Sequence, residues 1–172
     1  MSTLNVNTIG ERTSGNGVQI TGHIIQVVNA TDVASSNGDA TPRYGAQITS
    51  SSFTDTALSA SITPKATSSK IFVIVRHNPL TYAPGTIPFG EYGLFRGTTQ
   101  IDRATAGHKA DDHPSDNNAY NTIPIIFNYL DTPSTTSATT YKTQAKYIGS
   151  GSGYTWSGYY GLSSMTLMEV GG

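Results

Sequence analysis

The chain contains no cysteine among its 172 residues. Disulfide-stapled scaffolds, thiolate zinc sites and cysteine nucleophiles are therefore excluded. Charged residues are also scarce, at 12% of the chain, against about 25% in typical soluble domains. A net charge of −1 does not provide the strong self-repulsion that accompanies most intrinsic disorder. A chain of this length is expected to fold around one buried core.

Basic residues and long apolar runs are equally sparse. Arg76, Arg96, Arg103, Lys142 and Lys146 are scattered and form no basic run. Nucleic-acid binding requires a concentrated positive patch that neutralises phosphates, so no nucleic-acid partner is expected. The apolar runs fall well short of the ~20 residues of a membrane helix. No signal-peptide pattern opens the chain, and no membrane insertion is expected.

Helical periodicity is almost absent, because apolar residues do not recur at i, i+3, i+4 and i+7. Short β-prone runs alternate with clusters of Gly, Pro, Asn and Ser, a pattern typical of a β-sandwich or barrel. The glycine in Arg96-Gly97-Thr98 predicts a hairpin turn. The predicted strands are His23–Val28, Gln47–Ser52, Thr56–Thr63, Lys70–Arg76, Gly90–Arg96, Thr99–Arg103, Asn121–Leu130, Thr139–Tyr147 and Ser163–Val170.

The chain divides into three predicted regions. Residues 1–29 carry too little apolar area for a core of their own and are predicted to form an extended N-terminal arm that packs on neighbouring copies or on a docking partner. Residues 30–44 are polar and turn-rich and form a connector, and residues 45–172 form the β-sandwich domain. The candidate docking residues of the arm are its apolar side chains Leu4, Val6, Ile9, Val18 and Ile20.

Two predicted strands are apolar on both faces, one at residues 71–75 and one at residues 123–127. An antiparallel strand with one solvated face should instead alternate apolar and polar residues. Such strands are either central in the sandwich or covered on their outer face by another subunit, and the sequence leaves both possibilities open. The candidate interface residues are Phe72, Ile74, Ile125 and Phe127.

One segment concentrates possible metal ligands: His108, Asp111, Asp112 and His113. These side chains can bind a divalent cation, but their spacing matches no closed zinc motif. A solvated loop tip is the favoured interpretation, and no metal or other cofactor is expected.

Two further segments could present binding residues. Prolines restrict the freedom of the segment from His77 to Gly90, which is either a binding edge or, as favoured, a stiff connector. In the segment from Ile148 to Gly161, aromatic rings on a Gly/Ser framework could stack on sugar faces. The same rings could instead fill a subunit interface, which is the favoured alternative. The candidate ligand-binding residues are Tyr82, Tyr154, Trp156, Tyr159 and Tyr160.

Catalytic motifs are missing from the sequence. There is no Gly-x-Ser-x-Gly elbow around a serine nucleophile and no glycine-rich phosphate loop. Asp111 and Asp112 are adjacent, so on a strand they would point to opposite faces and could not act as a glycosidase pair. The chain is therefore predicted not to be an enzyme.

An ordered series of segments resembles bacteriophage tail-fibre and virion structural proteins, particularly those of marine phages that infect cyanobacteria. Met1–Ile9 and Ser14–Val18 are similar to the N-terminal repeat of those fibres. The remaining similar segments are Phe53–Pro64, Ser68–Ile71, Asn128–Pro133 and Met165–Val170, so the resemblance spans most of the chain. It leaves out Arg76–Gly90, Thr105–Tyr120 and Ile148–Gly161. The strand order also resembles the trimeric jelly rolls of the C1q and tumour-necrosis-factor type.

The resemblance implies an all-β antiparallel β-sandwich or jelly roll with an extended N-terminal arm. Its expected role is that of a non-catalytic homotrimer, a tail-fibre or fibre-like component of the virion, assembled in the host cytoplasm. The arm would dock on other virion proteins, and the loops would contact a host cell-surface glycan or protein. Two alternatives remain open: a capsid decoration or adaptor protein with a purely structural role, and a small carbohydrate-binding, lectin-like module.

Overall fold

The computed structural model describes residues 10, 22–32, 46–84, 89–106, 118–149, 152–158 and 162–172. This part of the chain is entirely β-structure and loops, and it contains no helix that could cross a membrane. Its strands are β1 (Ile24–Thr31), β2 (Gln47–Ile48), β3 (Thr54–Ile62), β4 (Lys70–His77), β5 (Leu80–Pro84), β6 (Phe89–Arg96), β7 (Thr99–Ala106), β8 (Asn118–Asn121), β9 (Ile125–Asp131), β10 (Thr139–Ile148), β11 (Tyr154–Trp156) and β12 (Ser164–Val170).

Eight of these strands form a sandwich of two four-stranded antiparallel sheets. Sheet I has the order β1-β12-β4-β9, and sheet II has the order β3-β10-β6-β7. Counted along the chain, the eight sandwich strands therefore pair as 1-8-3-6 and 2-7-4-5. This is the strand order of a jelly roll, in which the chain passes repeatedly from one sheet to the other. The predicted all-β sandwich of jelly-roll type is confirmed.

Alternation of apolar and polar residues places the core between the two sheets. In β3, Leu58 and Ile62 point inward while Ser59 and Ser61 face solvent. This period of two is expected of a strand with one buried face. The buried cluster that fills the sandwich includes Leu58, Ile62, Ile71, Val73, Val75, Tyr92, Leu94, Phe127, Tyr141, Met165 and Leu167.

The turn between β6 and β7 agrees with the sequence-based prediction. Gly97 begins the tight connection between β6 and β7 with a φ of +58°, a conformation that favours glycine, and the predicted hairpin is present.

The start of the sandwich differs from the prediction, which includes the segment from His23 to Val28 in the N-terminal arm. In the structure β1 pairs along its length with β12 and forms an edge of sheet I. Among the described residues, the first strand of the sandwich therefore begins at Ile24, earlier than the predicted boundary near residue 45.

A buried polar cluster ties the two sheets together near the β6–β7 hairpin. Asp131, on sheet I, is 6% exposed and accepts a hydrogen bond from the Tyr141 hydroxyl of sheet II at 2.6 Å. Nη1 of Arg96 lies 2.9 Å from both carboxylate oxygens of Asp131. Burial, followed by the hydrogen bond to the Asp131 carboxylate, raises the pKa of Tyr141 far above its ordinary value. The hydroxyl therefore stays protonated and acts as a donor.

Replacing Asp131 with alanine should destabilise the fold by about 2–3 kcal/mol, because a buried hydroxyl and a half-buried guanidinium lose their shared acceptor. Urea unfolding measures this free energy. The matched control is Asp55→Ala, which removes an exposed carboxylate paired with Lys142 at 2.7 Å and should cost less than about 1 kcal/mol. Equal losses in the two variants would contradict a structural role for the buried cluster.

Candidate functional site at the loop end

Four connections cross between sheet I and sheet II at one end of the sandwich, called the loop end below. They join β1 to β3, β4 to β6, β7 to β9 and β10 to β12. Each connection contributes one short strand, and these strands pair in the order β2-β11-β5-β8 to form a small end sheet. The other three connections lie at the opposite end, called the hairpin end. The candidate ligand-binding residues Tyr82, Tyr154 and Trp156 therefore all lie in crossovers of the loop end.

Tyr82 and Tyr154 form an aromatic pair on the end sheet. They lie directly opposite each other on β5 and β11, with ring centroids 5.1 Å apart and planes inclined by 35°. Both side chains are half-buried. A cross-strand aromatic pair stabilises a sheet, and its exposed ring surface can also contact a ligand. The structure thus brings together two candidate residues that are more than seventy positions apart in the sequence.

The opposite side of the end sheet is held against sheet II by hydroxyl groups. The Oγ1 atoms of Thr81 and Thr155 are 2.9 Å apart, and the Tyr92 hydroxyl lies 2.8 Å from Thr155 Oγ1. Burial raises the pKa of Tyr92 well above its ordinary value, so this hydroxyl stays neutral. Gly90 permits the close approach, because a Cβ there would lie 3.0 Å from both threonine Oγ1 atoms. These hydrogen bonds therefore hold the strands that carry the Tyr82–Tyr154 pair against sheet II.

Ser157, just after β11, connects the loop-end crossovers to one another. Its Oγ donates to Asp32 Oδ2 at 3.0 Å and accepts from the Ala46 amide at 2.9 Å. Its amide donates to the Ala46 carbonyl at 3.1 Å. Its carbonyl accepts from His77 Nδ1 at 3.0 Å and from Ser163 Oγ at 2.9 Å. Every polar group of Ser157 is therefore used to join chain segments that are remote in sequence.

His77 is fully buried at the end of β4, and its hydrogen bonds define its tautomer. A carbonyl can only accept, so Nδ1 carries the proton that is donated to Ser157. The unprotonated Nε2 then accepts from the Thr143 hydroxyl at 2.9 Å. The Thr56 hydroxyl lies 2.6 Å from Thr143 Oγ1 and continues the chain of hydrogen bonds. Burial lowers the pKa of His77 to about 4, although the bond to Ser157 opposes this shift.

The grouping of Ser157, His77 and Asp32 is not a catalytic triad. The serine hydroxyl donates to the aspartate, and the imidazole contacts the serine carbonyl instead of its Oγ. No base is therefore placed to activate the nucleophile. Ser157 and His77 are also fully buried, which leaves no access for a substrate. The cluster has a structural role, in which burial raises the pKa of Asp32 and a hydrogen bond from Ser157 opposes the shift.

Many of the predicted site residues lie outside the described residues, and the structure says nothing about them. For Trp156 the backbone is described, and it pairs on β11 with Gln47 and Leu80. In the part of the chain that is described, no three His, Asp or Glu side chains come together as metal ligands. The predicted residues outside the described part are Leu4, Val6, Ile9, Val18, Ile20, His108, Asp111, Asp112, His113, Tyr159 and Tyr160.

The candidate interface residues separate into two pairs. Phe72 and Ile74 are half-buried on the outer face of sheet I and remain candidates. Ile125 and Phe127 do not, because they are 4% and 1% exposed inside the chain's own core. The register of β9 turns their neighbours outward instead, with Ile126 at 60% and Leu130 at 52% exposure.

Sequence reasoning also missed the loop-end cluster of Asp32, His77 and Ser157. No local pattern marks these residues, which come from three distant segments. The one available signal was the position of His77 at the end of an otherwise apolar run, where an inward-facing imidazole requires partners for both ring nitrogens.

Comparisons with known proteins gave only remote structural matches. No protein-family model matches the chain, and no curated protein matches it. The chain is similar to the VP2 subviral particle of infectious bursal disease virus, with a TM-score of 0.42 and 16% identity over 86% of this chain and 33% of the other. It is also similar to a structure of the Gt strain of that virus, with a TM-score of 0.37 and 14% identity over 97% of this chain and 37% of the other. The chain thus spans about a third of the length of these proteins, and similarity at this level is no basis for assigning a function.

The buried His77 should make the fold acid-sensitive. Its pKa is about 4 in the folded state and near 6.5 when unfolded, so the unfolded chain binds an extra proton between these values. Stability from His77 is therefore complete above pH ~6.5 and is lost as the pH falls to about 4, by up to about 3 kcal/mol. Asp32, whose pKa is raised, opposes this loss near the acid end of the window.

The measurement is the free energy of unfolding in urea at pH 7, 5.5 and 4.5. His77→Gln keeps a donor and an acceptor without a titrating ring, so the difference between wild type and variant should shrink as the pH falls. The control is Ser59→Ala, an exposed change on sheet II outside this cluster, which should keep the wild-type slope. A constant difference between wild type and His77→Gln across this range would contradict the assignment.

Proposed function

We propose that this chain is a non-catalytic structural component of a virus particle. In this proposal it is a homotrimeric tail-fibre or fibre-like protein, assembled in the host cytoplasm. It attaches to other virion proteins at one end and presents its loop end to a glycan or protein of the host surface. The sequence resemblance to phage fibre proteins supports the role, and jelly rolls occur widely among viral structural domains and lectins.

The observation that carries the proposal is the separation of the chain entry from the loops. β1 begins and β12 ends at the hairpin end, where the Gly22 amide donates to the Gly171 carbonyl at 2.8 Å. The N-terminal region that precedes β1 therefore joins the sandwich at the end opposite to the end sheet. A protein that is tethered at one end and recognises a surface with the other requires this arrangement.

In this proposal the host contact is made by aromatic rings of the end sheet and not by the buried polar cluster. Ser157, His77 and Asp32 are committed to structural hydrogen bonds. The Tyr82–Tyr154 pair of the end sheet has half-buried rings that can lie against a sugar or an apolar side chain. On a trimer, three such weak sites would act together and raise avidity by about 10²–10⁴.

Two alternatives differ from this proposal in what the loop end contacts. In a capsid decoration or adaptor protein, the loop end would contact other virion proteins. In a lectin-like module, the Tyr82–Tyr154 pair would bind sugar without any particle. Binding to whole cells, to purified particles and to free oligosaccharides therefore separates the three roles.

The test uses the fluorescently labelled full-length chain on a panel of cyanobacterial cells, with its native mass measured by light scattering. The proposal expects a trimer whose cell binding falls at least ~10-fold in the variant Tyr82→Ala/Tyr154→Ala, because the ring contacts are lost at each of three sites. Thr54→Ala, an exposed change on sheet II, should leave binding intact. A chain that binds only purified phage particles would replace this proposal with decoration, and binding only to free sugar would replace it with a lectin.

A further inference from the structure

The outer face of sheet I carries an apolar surface on all four of its strands. Val27, Met168, Phe72 and Leu130 stand side by side in one cross-strand row, as the pairing of β1, β12, β4 and β9 shows. The next row, in the middle of the sheet, contains Ile74 among uncharged polar residues. We call the apolar face the set Val27, Phe72, Ile74, Ile126, Leu130 and Met168.

The apolar face is solvent-accessible in the single chain. Val27 is 55%, Ile126 60% and Leu130 52% exposed, while Phe72 and Ile74 are half-buried by their neighbours on the sheet. Isolated exposed apolar residues are ordinary, but a contiguous apolar patch on a monomer usually marks an interaction site. The charged residues that face outward here are Lys70 and Arg76, at opposite ends of β4.

The outer face of sheet II has the opposite character. Lys142 pairs with Asp55 at 2.7 Å, and Lys146 pairs with Glu91 at 3.1 Å. The Nζ atom of Lys146 also lies 4.6 Å from the ring centroid of Phe53, which is a cation–π contact. An outer face that carries ion pairs is suited to contact with solvent. The two outer faces of the sandwich therefore differ: the face of sheet II is suited to solvent, and the apolar face is suited to a partner.

We propose that the apolar face is the contact surface between copies of this chain. A charged or strongly polar partner would leave the apolar side chains in the central rows of the face without apolar contacts, whereas a second copy offers the same uncharged, apolar surface. Obligate contacts between identical chains resemble a divided core in this way. The inference deepens the proposed function, on which it rests, by naming the surface through which the virion protein would assemble.

The size of the face favours packing around an axis over a two-fold stack of sheets. Four strands spaced by about 4.8 Å and seven residues with a rise of about 3.3 Å give a plan area of roughly 400 Å². Each partner of a stable pair buries about 800 Å². The remaining buried area must come from surfaces beside the sheet. A ring supplies these surfaces, because each copy in it also uses its edge strands β1 and β9. Ile24, 54% exposed at the start of β1, lies on such an edge.

A lysine placed on the apolar face should dissociate the assembly. Leu130→Lys would bury an unpaired charge between copies, so the dissociation constant should rise at least ~100-fold. Ala57→Lys makes a matched apolar-to-lysine change on an exposed edge position of sheet II and should leave the assembly intact. Light scattering at micromolar concentration gives the masses, and urea unfolding checks that both variants fold.

A second measurement locates the contact without changing its polarity. The chain has no cysteine, so a single cysteine at Thr166, in the middle of sheet I, can be linked by a short bis-maleimide only to another copy. Thr166→Cys should form covalent dimers readily, and Ser59→Cys on sheet II should not. A monomeric wild-type chain, an unchanged mass in folded Leu130→Lys, or equal linking at both positions would overturn the inference. A wild-type chain that assembles but binds no cells would instead contradict only the proposed host contact.

Discussion

Four crossovers of the jelly roll meet at one end of the sandwich, and the amide and carbonyl groups of their backbones need hydrogen-bond partners there. Unpaired buried amides and carbonyls are costly, and the chain solves this by pairing one short strand from each crossover into the end sheet. Ser157 and His77 complete the arrangement, since their hydrogen bonds join segments that no sheet ladder connects. The hydroxyls of Thr81, Thr155 and Tyr92 hold the strands of the Tyr82–Tyr154 pair against sheet II, and the expected response of the fold to acid depends on His77.

The two ends and the two faces of the sandwich are specialised differently. At the hairpin end, Asp131 receives hydrogen bonds from Arg96 and Tyr141, which join the two sheets directly. At the loop end, among the described residues, neutral groups carry most of the network, and the His77 imidazole is held uncharged by burial. Sheet I is apolar outside and sheet II is covered with ion pairs. Together these asymmetries distinguish the end at which the chain enters the sandwich from the loop end, and the apolar outer face from the outer face with ion pairs.

Local patterns were reliable wherever a strand was long and its period unambiguous. β3 alternates apolar and polar residues from Leu58 to Ile62, so its buried face follows from the sequence, although the strand runs from Thr54 to Ile62 and not from Thr56 to Thr63 as predicted. β9 shows the limit of this reasoning, because Ile125, Ile126 and Phe127 are all apolar and the sequence cannot set the phase of the strand. A shift of one residue exchanges the two faces, which is why the inward Ile125 and Phe127 were mistaken for interface residues and the outward Ile126 and Leu130 were missed.

The sequence by itself determined the fold class, the hairpin at Gly97 and the absence of disulfide and thiolate chemistry, because each follows from residue types and short spacings. The tertiary structure alone decided that the strands of Tyr82 and Tyr154 belong to crossovers of one end, since that depends on the order in which strands pair across the chain. It also decided that Tyr82 meets Tyr154 and that His77 meets Ser157. These partners lie more than seventy residues apart, and no local preference can encode a contact that exists only after both sheets have closed.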